Sequence, residues 1–279
     1  MNLSLFLIVL LAAFLHASWN VLVKFNIDRF LSLFLLQSLM GLLGLAMLAF
    51  FPFPAKASLS FALVSGLLHT GYNLFLARSY KTGELSLVYP VARGTAPLLT
   101  LVAATYFAHD HITVWAALGI IVLVIGIWLI AISPSLATKV DRTTMLFALG
   151  TSVFIGLYTI VDGLGGRISG SPSAYAGLVF ILDASFMILT GVYLRGFQIF
   201  RAVAPFWRSG MIGATASGIA YWIVIWAMSI APIAKVAALR ETSILFAIAM
   251  SARFLKESVS WQRIGGGILV VIGAMTLRS

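Results

Sequence analysis

Long apolar runs follow one another along this chain, with only short polar gaps between them. A helix needs about 20 apolar residues to cross the hydrocarbon core of a bilayer, and ten runs are close to that length. The gaps contain helix-breaking residues, as in "FPFPAK" at 51–56 and "SGSPS" at 169–173. The pattern therefore predicts ten transmembrane helices, spans 1 to 10, over residues 3–23, 30–51, 58–79, 85–106, 112–132, 144–162, 173–194, 208–229, 233–254 and 261–278.

Composition supports a membrane protein without a water-soluble domain. Of the 279 residues, 61% are hydrophobic and 9% are charged, whereas soluble domains carry about 25% charged residues. We therefore expect an all-α integral membrane protein. The first run lacks the basic start of a signal peptide, so we interpret it as span 1. Cysteine is absent, which excludes disulfides, thiolate metal sites and cysteine nucleophiles.

The distribution of basic residues predicts the orientation of the chain. The net charge is +10, but the basic residues occupy short gaps between apolar runs, so no nucleic-acid partner is expected. The gaps after even-numbered spans and the C-terminus hold only Lys56, Arg167, Arg278 and Lys235. Basic residues stay cytoplasmic, so both termini should face outward from the cell (inner) membrane. The gaps after odd-numbered spans hold twelve basic residues: Lys24, Arg29, Arg78, Lys81, Lys139, Arg142, Arg195, Arg201, Arg208, Arg253, Lys256 and Arg263.

An internal repeat divides the chain into two halves. A shift of 147 positions, applied to residues 93–126, pairs Arg93 with Arg240 and Thr95 with Thr242, and it aligns the apolar segment "VIG" at 124–126 with "VIG" at 271–273. We therefore predict one five-helix repeat over residues 1–139 and a second over 140–279. Because five is odd, the second repeat must be inverted in the membrane. Inverted repeats are typical of transporters that alternate between two openings.

The turns before spans 5 and 10 carry a family resemblance. Each begins with an acidic turn and leads into a glycine-bearing helix, "HDHITVWAALGIIVLVIG" and "KESVSWQRIGGGILVVIG". With the opening "LLAAFLHASWNVLVK", these segments resemble the EamA family of the drug/metabolite transporter superfamily. The resemblance implies a secondary transporter of small metabolites, with spans 1–4 and 6–9 around a central cavity and spans 5 and 10 at the edge. Members of the superfamily include amino-acid exporters and exchangers of phosphorylated compounds.

Two arginines lie deep within predicted spans. Arg93 is about eight residues into span 4 and Arg240 about seven into span 9, so each lies near the bilayer centre, where a charge must face protein or a watery cavity. A guanidinium fork suits a carboxylate or phosphate, which makes both arginines candidate ligands for an anionic substrate group. The structural alternative is an ion pair between Arg93 and Glu241.

Other polar side chains recur at helical spacing and are candidates for the same cavity. Interhelical hydrogen bonding is the alternative role for each of them. Glu241, His69 and Asp183 are the intramembrane groups best suited to proton coupling. The further candidate substrate ligands are His16, Asn20, His69, Tyr72, Asn73, Tyr158 and Trp222.

Prolines and glycines indicate mechanical roles. Pro90 and Pro97 interrupt the hydrogen-bond ladder of span 4, which would let the helix bend during gating or would form a static kink. In span 5, Gly119 and Gly126 lie on one helix face, as do Gly266 and Gly273 in span 10. This spacing favours close helix packing.

The chain lacks the sequence signatures of ATP-binding loops, zinc proteases and serine hydrolases, so we expect no enzyme activity, no cofactor and no metal. The favoured function is secondary active export of a small polar metabolite with an anionic group, such as an amino acid, another carboxylate or a phosphate or phosphonate compound. The expected partners are this substrate and membrane lipid, with coupling to protons or a counter-substrate, in a monomer or weak dimer. The alternatives are a membrane enzyme acting on lipid-linked substrates, a transporter of neutral or cationic compounds, and a passive channel.

Overall fold

A computed structural model of the chain describes residues 1–22, 28–82, 85–131, 142–254 and 259–278, and these residues are largely helical. Two short 3₁₀ helices, Lys56–Ser58 and Ala204–Phe206, precede longer helices. The α-helices of the described chain are α1 (Leu3–Leu22), α2 (Arg29–Phe50), α3 (Leu59–Thr82), α4 (Leu85–Phe107), α5 (Val114–Ala131), α6 (Arg142–Ile168), α7 (Pro172–Arg195), α8 (Gln198–Val203), α9 (Trp207–Ile230), α10 (Ile233–Arg240), α11 (Ser243–Phe254) and α12 (Trp261–Thr276).

The helices follow the predicted spans, with three differences, the first of which is the short helix α8 in the gap between spans 7 and 8. Span 6 was expected to end at residue 162, but α6 continues to Ile168, past three glycines. Span 9 is two helices, α10 and α11. Six helical segments of the described chain are long and apolar enough to cross a membrane, and α1 adds a shorter apolar segment, Leu3–Trp19. The all-α membrane fold predicted from hydropathy is confirmed.

Apolar side chains cover the outside of the bundle. On α1, Leu3, Leu7 and Leu11 are each about half exposed, and their spacing of four places them on one helix face. On α12, Ile268 and Met275 are similarly exposed. Exposed aliphatic stripes of this kind are suited to contact with lipid chains.

Helices at equivalent positions of the two halves run in opposite directions. A methyl group added at Gly119 would lie 3.0 Å from the carbonyl oxygen of Gly273, and one added at Gly126 would lie 2.6 Å from that of Gly266. Residue numbers therefore increase along α5 in the direction in which they decrease along α12, so the two helices are antiparallel. The geometry shows that the two five-helix halves are inverted. The predicted boundary between residues 139 and 140 lies outside the described residues.

The packing of the remaining helices follows the same two-fold relation. Helix α2 packs against its equivalent α7. In the first half α1 contacts α9, α10 and α11, and in the second half α6 contacts their equivalents α3 and α4. Helices of the two halves therefore surround a common centre, and α5 and α12 pack together beside it.

The contact between α5 and α12 leaves no space for a side chain at Gly266. A methyl group there would lie 2.7 Å from the Gly126 carbonyl oxygen, whereas one at the neighbouring Gly265 would meet only Leu129, at 4.0 Å. We expect Gly266→Ala to lower the free energy of unfolding by about 1–3 kcal/mol. Gly265→Ala should be neutral or slightly stabilising, because alanine favours helices. Thermal unfolding of both variants in detergent tests this difference, and equal stabilities would contradict the close packing.

The break in span 9 falls at a run of polar residues. Helix α10 ends at Arg240, and the Thr242 hydroxyl donates to the Leu239 carbonyl at 2.7 Å. The N–H of Ile244 donates to the Glu241 carbonyl with 3₁₀ spacing. Hydroxyl side chains that bond to nearby carbonyls compete with helical hydrogen bonding. The break places Arg240 and Glu241 at the junction of two half-helices, inside the protein.

An ion pair joins the ends of α2 and α7 outside the apolar core. Asp28 caps α2 by accepting a hydrogen bond from the Leu31 N–H at 2.9 Å, and Arg195 at the end of α7 donates to the same carboxylate. Partial burial opposes the charged form, but the bonds from Arg195 and Leu31 outweigh it and lower the pKa of Asp28. The pair is consistent with the antiparallel packing of α2 and α7.

Candidate substrate site

A polar cavity lies at the centre of the bundle, between the two halves. It has an empty volume of about 960 Å³, including its mouth. The lining comes from α1, α2, α3 and α4 of the first half and from α6, α7, α9 and α10 of the second. This is the helix set that the family resemblance implies, with α5 and α12 outside the lining.

The cavity extends toward the end of the bundle that carries most of the basic residues. Its lining reaches Arg29, the first residue of α2, and Leu76 in the last part of α3. Arg78, Arg142 and Arg195 belong to helix termini at this same end. The lining thus faces the side that the positive-inside pattern predicts to be cytoplasmic.

The opposite end of the bundle is held closed by an ion pair and backbone contacts. Arg167 Nη2 lies 2.7 Å from Asp110 Oδ1, and the same guanidinium donates to the carbonyls of Met228 and Ala231. Asp110 also accepts the N–H of Ile233 at 2.6 Å. These contacts tie the α4–α5 turn to the end of α6 and the start of α10, so the acidic turn after α4 closes this end.

Because the chain has no cysteine, one introduced cysteine can report which face the cavity opens to. Ser217 lines the cavity, whereas Ser185 is exposed on the apolar outside of α7. We expect a membrane-impermeant maleimide to label Ser217→Cys from the cytoplasmic face, and to leave Ser185→Cys unlabelled from both faces. Labelling in inside-out and right-side-out vesicles measures this, and faster labelling of Ser217→Cys from the external face would contradict the assigned opening.

The two predicted arginines meet at one carboxylate. Arg93 Nε donates to Glu241 Oε2 at 2.8 Å, and Arg240 Nη2 lies 3.6 Å from Glu241 Oε1. Each of the three residues is at most 5% exposed. The Arg240 guanidinium also lies over the ring of Tyr221, 5.7 Å from its centroid. Both arginines line the cavity, whereas Glu241 is not among its lining residues.

Arg240 retains hydrogen-bonding capacity that the described residues do not use. Its Nε is buried and has no hydrogen-bond partner among the described residues. The contact of Arg240 with Glu241, at 3.6 Å, is longer than that of Arg93. The Glu241 carboxylate therefore contacts both guanidinium groups, and its contact with Arg93 is the shorter of the two.

A second polar cluster surrounds Asp162 on α6. The carboxylate is fully buried. Tyr221 donates to its Oδ2 at 2.5 Å, and His69 Nε2 lies 3.2 Å from the same oxygen. Tyr175 donates to Oδ1 at 3.3 Å. The cluster thus joins α3, α6, α7 and α9. Asp162 was not among the sequence candidates; its one available signal was an acid inside an apolar span.

Most of the predicted site residues come together in the cavity. Asp183 lines it from α7 and accepts a hydrogen bond from Thr70 at 3.4 Å. His69 stacks on Tyr158 with ring centroids 4.0 Å apart. The predicted residues that line the cavity are His16, His69, Tyr72, Asn73, Arg93, Tyr158, Asp183 and Arg240.

Trp222 lies elsewhere. Its indole N–H donates to the Ser173 hydroxyl at 2.9 Å, and its ring contacts Phe51. The adjacent residue on α9, Tyr221, lines the cavity in its place, because successive helix positions differ by about 100° in direction. The side chains of Asn20 and Pro90 lie outside the described part of the chain. Helix α4 continues through Pro97 as a single helix.

Three uncharged residues of the described cavity lining have unsatisfied polar atoms; Asn73 was a sequence candidate, whereas Trp19 and Gln37 were not. Trp19 Nε1, Gln37 Oε1 and both amide atoms of Asn73 are buried without hydrogen-bond partners among the described residues. All three residues line the cavity. Buried polar atoms are rarely left unpaired in proteins, which makes these three residues candidates for contact with a polar solute. Gln37 and Trp19 lie in apolar runs, where a single polar or aromatic residue is a weak signal.

Inverted halves, a broken helix at the centre and a polar cavity lined by both halves together define a multi-pass membrane transporter. The model of the EamA-like transporter family matches residues 3–132 and 142–279. The chain belongs to the EamA-like transporter family, within the drug/metabolite transporter superfamily. Its partners therefore include a small-molecule substrate and membrane lipid.

A solved crystal structure shares the fold. It superimposes with a TM-score of 0.78 over 99% of this chain and 96% of that chain, at 16% sequence identity. A likeness at this identity shows the fold alone. No curated protein matches the chain by sequence.

Proposed function

We propose that the protein transports a small polar metabolite with an anionic group, by alternating access, and that Arg240 binds that group. One observation carries the proposal: Arg240 lines the cavity with a buried Nε that has no partner among the described residues, while Glu241 makes its shorter bond to Arg93. A guanidinium with an unused donor can bind a carboxylate or a phosphate.

The surroundings of Arg240 support the same assignment. Tyr221 lies beneath the guanidinium, and Tyr158 lies close enough to interact with it. An arginine held against aromatic rings is positioned before substrate arrives, which lowers the entropy lost on binding. The unpaired atoms of Gln37 and Asn73, together with the predicted ligand His16, supply polar contacts for the remainder of the substrate.

We propose export as the physiological direction. The cavity extends toward the basic end of the bundle and the Asp110–Arg167 pair closes the other end. If the basic end is cytoplasmic, this conformation receives substrate from inside the cell. We further propose that the protein lies in the cell membrane with both termini outside, and that its repeats span 1–139 and 140–279. Gating occurs around Pro90 and Pro97. The protein is a monomer or weak dimer, and it binds and releases the substrate without chemical conversion.

The orientation is tested by a reporter fused after Ser279. Twelve basic residues against four predict that the C-terminus is extracytoplasmic. We therefore expect activity from a reporter that works only outside the cytoplasm, and none from one that works only inside. The opposite pair of results would invert the topology and, with it, the proposed direction.

The substrate class is tested by ligand pairs that differ mainly in charge, such as glutamate with glutamine and phosphoserine with serine. Thermal stabilisation of the purified protein is measured with each compound. We expect stabilisation by at least one anionic member, with little from its neutral partner. Stabilisation by neutral or cationic compounds alone would contradict the proposal.

A further inference from the structure

The intramembrane carboxylate with the largest number of side-chain contacts in the described chain does not face the cavity. Asp162 is fully buried, and it is contacted from α3, α7 and α9. His69, in contrast, both contacts Asp162 and lines the cavity. The imidazole therefore lies between the solvent-accessible cavity and an inaccessible carboxylate.

An imidazole paired with a carboxylate can bind a proton with little rearrangement. An ionised carboxylate only accepts hydrogen bonds, so neutral His69 donates its Nε2–H to Asp162 and keeps Nδ1 as an acceptor. A proton added at Nδ1 yields an imidazolium whose charge remains paired with Asp162. Histidine is the side chain best suited to such a change near neutral pH.

The other buried ion pair is less suited to this role. Glu241 accepts from Arg93 at 2.8 Å, and an arginine does not release its proton in proteins. Protonation of Glu241 would leave the buried Arg93 charge without its counter-ion, which is strongly unfavourable. Of the predicted coupling residues Glu241 and His69, the geometry therefore favours His69.

Aromatic contacts connect this pair to the proposed anion site. The His69 ring stacks on Tyr158 at 4.0 Å, and Tyr158 lies beside Arg240. Tyr221 donates its hydroxyl to Asp162 while its ring lies under the Arg240 guanidinium. A positive charge on His69 would thus lie near the place where the substrate anion binds.

We propose that His69 and Asp162 form a proton-binding site, and that a proton bound there strengthens binding of the anionic substrate at Arg240. This inference rests on the proposed function. Other groups share the environment of the pair. Its tyrosine neighbours on α3, α6, α7 and α9 are Tyr72, Tyr158, Tyr175 and Tyr221. The other charged and titratable groups that the described residues bring to the cavity are His16 (α1), Arg29 (α2), Arg93 (α4), Asp183 (α7), Arg240 (α10) and Glu241 after α10.

The coupling is tested with sulfate as the probe, because sulfate keeps its charge across the experimental pH range. We expect sulfate affinity of the wild-type protein to increase about tenfold between pH 8.5 and 5.5, within the usual range of coupling between sites. In His69→Gln and in Asp162→Asn this pH dependence should disappear. Tyr175→Phe is the matched control: it removes a donor to Asp162 but keeps the pair, so the dependence should remain. An unchanged pH dependence in both pair variants would overturn the inference.

Proton binding itself is measured without an anion, by NMR of ¹⁵N-histidine in the wild-type protein and the variants. The signal that is lost in His69→Gln should titrate reversibly in the wild-type protein, and its titration should change in Asp162→Asn. A His69 signal that does not respond to pH would overturn the inference. Absence of sulfate binding, or sulfate binding unaffected by Arg240→Gln, would instead contradict the anion site of the proposed function.

Discussion

Arg93→Ala is expected to lower the free energy of unfolding by about 3–5 kcal/mol, the usual cost of removing one member of a buried ion pair. Arg93 donates to Glu241 at 2.8 Å, and both side chains are almost fully buried. Among the described residues, the substitution would leave Glu241 with the longer contact to Arg240, at 3.6 Å. Denaturant unfolding in detergent, under conditions that allow refolding, measures the loss.

The double variant Arg93→Ala/Glu241→Ala separates the unpaired charge from the lost packing. Removing both partners should recover part of the stability, because no carboxylate is then left without its main partner. Arg78→Ala is the control, since Arg78 is an exposed arginine at the end of α3. Its expected loss is below about 1 kcal/mol. A similar small loss for Arg93→Ala would show that the pair does not stabilise the fold.

Arg240→Gln is expected to weaken binding of the anionic substrate by about 30-fold or more, the effect of truncating one partner of a buried charge pair. Arg240→Lys should weaken it by about tenfold, because lysine keeps the charge but loses the planar fork. The stability of both variants should change less than that of Arg93→Ala, since Arg240 makes the longer contact with Glu241. Ligand titration and thermal unfolding of the same preparations measure the two effects.

Arg208→Gln is the control for the loss of one positive charge outside the cavity. Arg208 lies near the start of α9, beside the ring of Trp207, and it does not line the cavity. Its substitution should leave the substrate affinity unchanged. Equal losses for the two glutamine variants would indicate a general electrostatic effect rather than a contact at Arg240.

Hydropathy predicted the helices well because lipid contact imposes a length and an apolar composition on each span. It could not predict the break in span 9. Residues 233–254 are apolar enough overall to be predicted as one helix. At the break, the Thr242 hydroxyl bonds to a nearby carbonyl and competes with helical hydrogen bonding, and hydropathy does not detect this local effect. The six added residues of α6 were missed for a related reason. Three of them are glycines, which disfavour helices, and Gly163 and Gly165 are sites of close contact with Ile233 and Tyr175.

The arginine pair was predictable and its geometry was only partly so. Arg93 and Arg240 are repeat-equivalent and were both placed near the bilayer centre, and in the structure both contact Glu241. The shared carboxylate has no equivalent in the first half, where Gly94 occupies that position. The sequence raised the ion pair as an alternative but not the unequal distances of the two arginines.

The rotation of each helix was the main missing information. Tyr221 and Trp222 are adjacent aromatic residues on α9, and only the packing decides that Tyr221 faces the cavity. Asp162 is an acid in an apolar span, but its three side-chain partners come from α3, α7 and α9. Contacts between helices distant in sequence cannot be read from periodicity alone.

The central claim is that Arg240 selects the negative charge of the substrate. The most direct test measures dissociation constants for the best anionic ligand and its neutral amide or dephosphorylated counterpart, in the wild-type protein and in Arg240→Gln. We predict that the wild-type protein prefers the anion by at least about tenfold, and that the two constants become similar in Arg240→Gln. A preference for the anion that persists in Arg240→Gln would contradict the account.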